Sequence, residues 1–292
     1  MHIMKGIVLA GGSGSRLYPL TKTFSKQLLP VFDKPLIHYP ISTLMAAQIR
    51  DLLVITTPTD LPLFQRLLGD GSEIGVNIRY ATQQVPKGIP EAFIIGEEFL
   101  AGGSASLILG DNIFFGYGLG RQLAMYKDLT GAQIFGYSVA DPQRYGVATL
   151  DLDGNISSLE EKPVDTKSNI AVTGLYFYDN QIVDICKSLE PSRRGETEIT
   201  DVNKRYLDMG LLKISILPRG TAWLDTGTFE SLHDASTFVR VLEERQNTKI
   251  ASLEEISWRN GWLSDEQLLN IADKCVNPSL ALYLRFILDN KF

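Results

Sequence analysis

From Lys5 to Gly110 the chain alternates short apolar runs with segments of helical period, and this rhythm limits the folds open to it more than any other feature. "KGIVLA", "DLLVITT", "VNIRYAT" and "SASLILG" are strand-like, and "KPLIHYPISTLMAAQI", "LPLFQRLL" and "PEAFIIGEEFL" between them are helix-like. Alternation of this kind folds as a mostly parallel sheet flanked by helices. After "GRQLAMYKDL" the rhythm changes. "AQIFGYSV", "GVATLDLDG", "ISSLEEKP" and "NIAVTGLYFYD" are strands in close succession, with "DLDGN" as a hairpin turn. Antiparallel strands are therefore expected to extend the sheet. "EITDVNKRYLDM", "LKISILP" and "FESLHDASTFVRVLEERQ" restore helix, strand and helix, and everything from Ser252 reads as helical. The expected architecture is α/β, with a main domain over residues 1–245 and a helical segment over 246–292 packed on it.

The first strand runs into "VLAGGSGSRLYPLTKTFSKQLLP", which packs glycines, an arginine and two lysines into the turn that follows. Glycines let main-chain N–H groups approach an anion, and Arg and Lys neutralise its charge, so phosphate is the first ligand class to test. A Walker loop needs Lys-Ser/Thr straight after its last glycine, and Gly14 is followed by Ser15 and Arg16. A dinucleotide fingerprint needs a third glycine where Leu17 stands, and an acidic residue ending a second strand. Neither loop fits. A flexible surface turn is the bland alternative, and the charges at Arg16, Lys22 and Lys26 speak against it.

The loop is a local basic feature on an acidic body, since the net charge is -6 over 292 residues. That balance argues against a general nucleic-acid or membrane-surface binder and for a small anionic ligand. Cys186 and Cys275 are the only cysteines, both in helix-like segments and neither at metal-ligand spacing, so they are expected to be buried thiols in a reducing compartment. No apolar run is long enough for a signal peptide or a membrane span, and a cytoplasmic location is expected.

In open sheets of this kind ligands sit beyond the carboxyl ends of the strands. Three polar clusters are expected there: the glycine loop, "LGDN" and "WLDTGT". Asp111 and Asp225 thus become candidates to share one site. Two carboxylates suffice for Mg²⁺ when phosphates and water complete its oxygen shell. Taken singly, each could equally cap a helix or make an Asx turn.

The first stretch resembles the G-G-x-G-[ST]-R-L-x-P signature of sugar-nucleotide pyrophosphorylases. With "SKQLLP", "DKPLIHYP", "LGDNIFFG", "DPQRYGV", "SLEEKP", "RGETEITDVN" and "AWLDTGT" in order, the chain resembles the bacterial glucose-1-phosphate thymidylyltransferases from Lys5 to at least Trp262. The resemblance implies a Rossmann-like nucleotidyltransferase fold. It also implies the reaction of dTTP with α-D-glucose 1-phosphate to dTDP-glucose and pyrophosphate, by in-line attack with Mg²⁺ as cofactor and no covalent enzyme intermediate. Gly11, Gly14 and Ser15 would offer backbone groups to the triphosphate, and Arg16 and Lys26 would oppose charge on the leaving pyrophosphate. Asp111 and Asp225 would hold the metal, and Lys162 the sugar phosphate. Gln27, Gln83 and Gly88 would meet thymine; Asn112, Gly146, Glu161 and Val172 the sugar; Arg194 a further phosphate. The nearest structural readings are a surface amide at Gln83, a turn glycine at Gly146 and a surface ion pair between Glu161 and Lys162.

Departures from the family pattern lie mainly in "QQVPKGIPEA", where Ile89, Pro90 and Glu91 replace the usual Leu, Ala and Gln. Proline and glutamate suit the first turn of a helix, and the change also bears on the choice between dTTP and UTP. Family members are commonly homotetramers inhibited by dTDP-rhamnose at a second site. "SLEEISWRNGW" resembles that segment, with Glu255, Ile256 and Arg259 in place and Ser252 where a cysteine is usual. Rival readings are a glycosyltransferase, which would normally hold its metal with an Asp-x-Asp pair, and a nucleotide-sugar sensor without turnover. Uridylyl, guanylyl and adenylyl transfer are the alternatives within the family.

Overall fold

The computed structural model describes residues 3–12, 14–192 and 195–290. Strand β1 (Lys5–Ala10) lies inside a nine-stranded sheet and is hydrogen-bonded in parallel to β4 (Asp51–Thr56) and β6 (Ala105–Leu109). Between β1 and β4 the chain makes a two-residue ladder, β2 (Pro30–Val31) with β3 (Lys34–Pro35). Strand β5 (Asn77–Thr82) extends the parallel half beyond β4. Strand β7 (Asn112–Phe115) leaves the sheet just after β6. The other half comprises β8 (Ala132–Ser138), β9 (Gly146–Leu150), β10 (Ile156–Glu161) and β11 (Ile170–Tyr178), all in antiparallel pairings, with β12 (Leu212–Ile216) parallel to β8. Strand β11 joins the halves by pairing antiparallel with β6. The "DLDGN" turn sits between β9 and β10, with Gly154 at φ +84° and the Asp151 carboxylate accepting from the Asp153 and Asn155 amides.

Apolar residues on both faces of β1 explain its central place. Ile7 and Val8 are adjacent and fully buried, and they enter different cores because successive side chains point to opposite faces. Each such side chain contributes roughly 1.5–3 kcal/mol through burial. Helices cover both faces, as a parallel sheet requires. They are α1 (His38–Ala46), α2 (Leu61–Leu68), α3 (Glu91–Ile95), α4 (Glu97–Leu100), α5 (Leu119–Ala124), α6 (Ile182–Lys187), α7 (Ile199–Asp208) and α8 (Phe229–Gln246), followed by α9 (Leu253–Arg259), α10 (Asp265–Lys274) and α11 (Pro278–Asn290).

Some local expectations are corrected. The first helix starts at His38, after Lys34 and Pro35 have entered the short ladder. "PEAFIIGEEFL" is two helices broken at Gly96, whose backbone packs close to Ile7 and Leu53. The tail is three helices, with Ser252 and Ser264 capping two of them from outside. Cys186 is buried in α6, where burial pushes its thiol up to about 12; Cys275 follows α10 and is only half-buried. "WLD" is itself a strand, β13 (Ala222–Asp225), and it pairs with β7 in a separate two-stranded ribbon outside the main sheet. Among the described residues no helix is long and apolar enough to cross a membrane.

Candidate active site

The glycine loop leaves β1 at its carboxyl end. Gly14 adopts φ +60°, its carbonyl accepts from the Thr21 hydroxyl at 2.9 Å, and a Cβ there would lie 2.8 Å from the Thr21 methyl. The tight turn Ser15–Leu17 then buries Leu17 and leaves Ser15 and Arg16 exposed. A second such turn, Lys26–Leu28, buries Gln27, whose Oε1 accepts from the Ser25 hydroxyl.

Lys26 reaches across to Asp111, in the turn between β6 and β7, and its ammonium donates to Asp111 Oδ2. Asn112 Nδ2 donates to the other carboxylate oxygen at 3.0 Å. The Asn112 carbonyl oxygen accepts from the Trp223 indole at 2.7 Å and from the Gly174 amide at 3.2 Å. One buried amide therefore ties together β7, β11 and β13. In the ribbon Asp225 stands opposite Asn112, and Arg144 Nη2 donates to Asp225 Oδ2 at 3.4 Å. A Cβ on Gly227 would lie 3.0 Å from Asp225 Oδ1 and 3.4 Å from Arg16 Nη1, so the glycine loop and the ribbon meet here.

These groups border a cleft of about 190 Å³. Arg16, Asp111, Asn112 and Asp225 line it together with Gly146, Glu161, Lys162 and Val172. Glu161 Oε2 accepts from the Thr200 hydroxyl at 2.6 Å, and Lys162 lies 3.5 Å from Glu161 Oε1. Gly146 leaves room for this pair, since a Cβ would sit 3.0 Å from Thr200 Oγ1 and 3.4 Å from Glu161 Oε2.

Gln83 lies against Gly11 and is tied through Glu91 to Lys87, the residue before Gly88. Gln83 is buried, with Nε2 donating to Glu91 Oε2 at 2.6 Å and Oε1 held against Gly11, where a Cβ would be 2.8 Å away. Gly88, at φ +109°, is pressed against Thr197, whose carbonyl oxygen would be 1.9 Å from a Cβ. Arg194 lies outside the described residues. Glu255, Ile256 and Arg259 are elsewhere, in a cavity of about 420 Å³ shared with Phe114, Phe115 and Gly120. Strand β7 thus has Asn112 in one cavity and its phenylalanines in the other.

Several lining residues are not reached by reasoning from sequence. Trp223 lies within "AWLDTGT", where Asp225 alone stands out by its chemistry; a tryptophan beside a strand-end aspartate is the available signal. Arg144 and Tyr145 sit within "DPQRYGV" next to Gly146, and Thr200 and Tyr176 carry no local signal.

The two aspartates differ electrically. Burial would raise Asp111, but the charge and hydrogen bond of Lys26, with the Asn112 amide, hold it below the ordinary carboxylate value. Burial pushes Asp225 up and the neighbouring Asp111 adds to this, with Lys26, Arg144 and Arg16 offsetting it only in part. Among the described residues no three His, Cys, Asp or Glu side chains gather around one point. The donor set fits a hard divalent cation that takes two carboxylate oxygens from protein and the rest from phosphate and water. A cation is also what would relieve Asp225 beside Asp111.

The sequence model of the family described as "Nucleotidyl transferase" matches residues 5–241. A Mycobacterium tuberculosis protein named glucose-1-phosphate thymidylyltransferase is 55% identical over 286 residues, covering 98% of this chain and 99% of its own. A Neisseria gonorrhoeae protein of the same name is 55% identical over 96% of this chain and 98% of its own. Among solved structures, one from Bacillus anthracis, assigned to the same enzyme and crystallised with sucrose, superposes with TM-score 0.75 at 40% identity, covering 81% of this chain and 95% of that one. UDP-glucose pyrophosphorylase complexed with UDP-glucose superposes with TM-score 0.70 at 25% identity, over 82% of this chain and 99% of that one. Nucleotidyltransferases of this family typically use a divalent metal. With a fold, a cleft and a full-length likeness that agree, the chain belongs to the nucleotidyl transferase family and, within it, to the glucose-1-phosphate thymidylyltransferases.

Proposed function

We propose that the chain transfers a thymidylyl group from dTTP to α-D-glucose 1-phosphate, releasing pyrophosphate. The observation that carries this reading is the meeting of Arg16, Asp111 and Asp225, with Lys26 bonded to Asp111, at a cleft whose other wall is Glu161 and Lys162. The sugar phosphate is already ionised at neutral pH and can attack the α-phosphorus without a protein nucleophile. What remains for the protein is alignment of two repelling anions and stabilisation of the leaving pyrophosphate. In this reading Gly11, Gly14 and Ser15 present backbone to the triphosphate, and Arg16 and Lys26 take the charge that builds on pyrophosphate. Lys162, with Arg194, holds the sugar phosphate. Gln27, Gln83 and Gly88 meet thymine, and Asn112, Gly146, Glu161 and Val172 meet glucose. Asp111 and Asp225 hold Mg²⁺, which when bound screens the phosphate charges. Lys26, by its charge and hydrogen bond, would keep Asp111 ionised for that role.

The test is pyrophosphate release with each nucleoside triphosphate against glucose 1-phosphate, with and without Mg²⁺. The expected result is turnover fastest with dTTP and abolished by chelation. Turnover fastest with UTP would favour the activity named in the pyrophosphorylase neighbour, and sugar transfer without pyrophosphate release would defeat the reading.

The cavity at Glu255, Ile256 and Arg259 favours a second assignment, a regulatory site for dTDP-rhamnose served by residues 246–292 on a catalytic domain of residues 1–245. Leu282 and Phe286 are exposed on α11, an apolar surface suited to subunit contact in a homotetramer. Sedimentation equilibrium giving a monomer would remove that part. The substrates and the reaction accord with a cytoplasmic protein.

A further inference from the structure

Gln83 is a buried residue whose side-chain amide makes one hydrogen bond, through its nitrogen. It is 4% exposed, its nitrogen donates to Glu91 at 2.6 Å, and its carbonyl oxygen has no donor among the described residues. Among the described residues only the Ser106 and Thr173 hydroxyls are fully buried without a partner, so the unpartnered Gln83 oxygen is the accessible end of an otherwise buried side chain, open at the edge of the ligand loop to a donor on a ligand.

Which way the amide faces is decided by Glu91. An amide presents an acceptor and two donors, and by itself could sit in either of two flipped orientations. An ionised carboxylate accepts only, so it selects the orientation with Nε2 towards it and Oε1 away, over Gly11. Glu91 is itself held, since the same oxygen accepts from the Lys87 amide at 3.2 Å. Lys87 in turn is fixed from the other side, its carbonyl accepting from Thr197 through both the amide, at 2.8 Å, and the hydroxyl, at 3.0 Å.

We propose that Glu91 is a positioning residue for base selection. By holding Gln83 with its carbonyl towards the ligand, it commits the site to bases that carry a ring N–H, as thymine and uracil do, and against bases with a ring lone pair there, as cytosine has. This rests on the proposed function only in placing the base against Gln83. With cytosine, two acceptors would face one another, and Gln83 could turn to donate only by setting its oxygen against the Glu91 carboxylate. The residue therefore sorts pyrimidines by their hydrogen-bonding pattern and leaves thymine against uracil to other contacts.

The experiment measures dissociation constants of dTTP and dCTP by titration calorimetry for the wild type, Glu91→Gln, Glu91→Asp and Gln83→Leu, with thermal midpoints and turnover alongside. A glutamine at 91 can accept or donate, so it releases the flip. The expected preference of the wild type for dTTP falls roughly tenfold in Glu91→Gln, by weaker dTTP binding and stronger dCTP binding together. Glu91→Asp, still an acceptor only, retains more of the preference, and Gln83→Leu loses it. If Glu91→Gln keeps the wild-type ratio while Gln83→Leu loses it, Gln83 reads the base without Glu91 and the inference falls while the function stands. If Gln83→Leu keeps the ratio, the base is not at Gln83, and the inference falls with that part of the site. Absent turnover in a wild type that still discriminates the two nucleotides would count against the function and not against Glu91.

Discussion

Thr226 binds the main-chain carbonyl of Asp111 twice, through its amide at 3.2 Å and its hydroxyl at 2.8 Å. The residue immediately before it, Asp225, is thereby delivered to Asp111 across 114 positions of sequence, and Thr226 itself is fully buried. Thr226→Val keeps the shape and the amide bond and removes only the hydroxyl. We expect it to cost about 0.5–1.5 kcal/mol in urea denaturation. Turnover should fall as well if the ribbon sets the spacing of the aspartates; full turnover with lowered stability would confine Thr226 to folding.

The two aspartates should separate stability from activity. Asp111→Asn and Asp225→Asn are each expected to lower pyrophosphate release on the order of 10²–10³-fold, as for other preorganised electrostatic groups. In chelator at neutral pH their effects on melting should have opposite signs. Asp111→Asn strips the largely buried Lys26 ammonium of its counter-charge and destabilises. Asp225→Asn removes a charge that burial and Asp111 both disfavour, and stabilises. Melting curves that shift the same way for both would contradict this account of the pair.

Gly88 is less replaceable than Gly11, another glycine proposed for the nucleotide. A methyl group there would overlap the Thr197 carbonyl at 1.9 Å, in a backbone conformation that L-residues rarely adopt. Gly88→Ala should therefore displace the loop against Thr197 at a cost of about 1–3 kcal/mol. The expected signature is a raised KM for dTTP with a smaller change for glucose 1-phosphate. Unchanged KM for both substrates would dissociate Gly88 from nucleotide binding.

Acid stability should depend on Asp33, in the turn between β2 and β3. Burial acts to raise it, but hydrogen bonds and charge from Lys249, at 2.7 Å, and Lys34, at 2.5 Å, hold it below its ordinary value of 3.8. A carboxyl lowered on folding adds stability above its unfolded pKa and loses it as pH falls through the folded one. Asp33→Asn should melt lower than wild type near neutral pH, by about 1 kcal/mol, with the gap closing in acid below the ordinary carboxylate range. A gap that persists in acid would mean that packing, not charge, is responsible.

Arg259 donates to Glu255 at 2.8 Å and lies over Trp258 at 5.5 Å, at the wall of the second cavity. If that cavity takes a dTDP-sugar, Arg259→Ala should raise the inhibition constant for dTDP-rhamnose roughly tenfold through loss of a charge-assisted contact. Inhibition of undiminished strength would remove the regulatory assignment.

Helices α2 and α8 span the stretches whose apolar spacing marks them in the sequence, and β1 is buried on both faces as its unbroken apolar run requires. The turn at Gly154 and the serine caps also follow from groups a few residues apart, because steric limits and short hydrogen bonds act within that range. The break at Gly96 and the departure of β7 and β13 into their own ribbon are not legible in this way, since each depends on what packs alongside. Asp111 and Asp225 can be suspected separately as strand-end carboxylates, yet only the ribbon and the Asn112 clamp put them at one cleft. Gln83 is likewise visible as an amide, while the direction of its oxygen belongs to the fold: Glu91 arrives from the start of a helix eight residues on and accepts from whichever end of the amide carries hydrogen. By itself the sequence marks most of the elements and the basic glycine loop that points to an anionic ligand. Which carboxylates meet, and which way the Gln83 amide faces, was decided by tertiary contacts, because strand pairing and side-chain direction are settled only when distant segments compete for the same space.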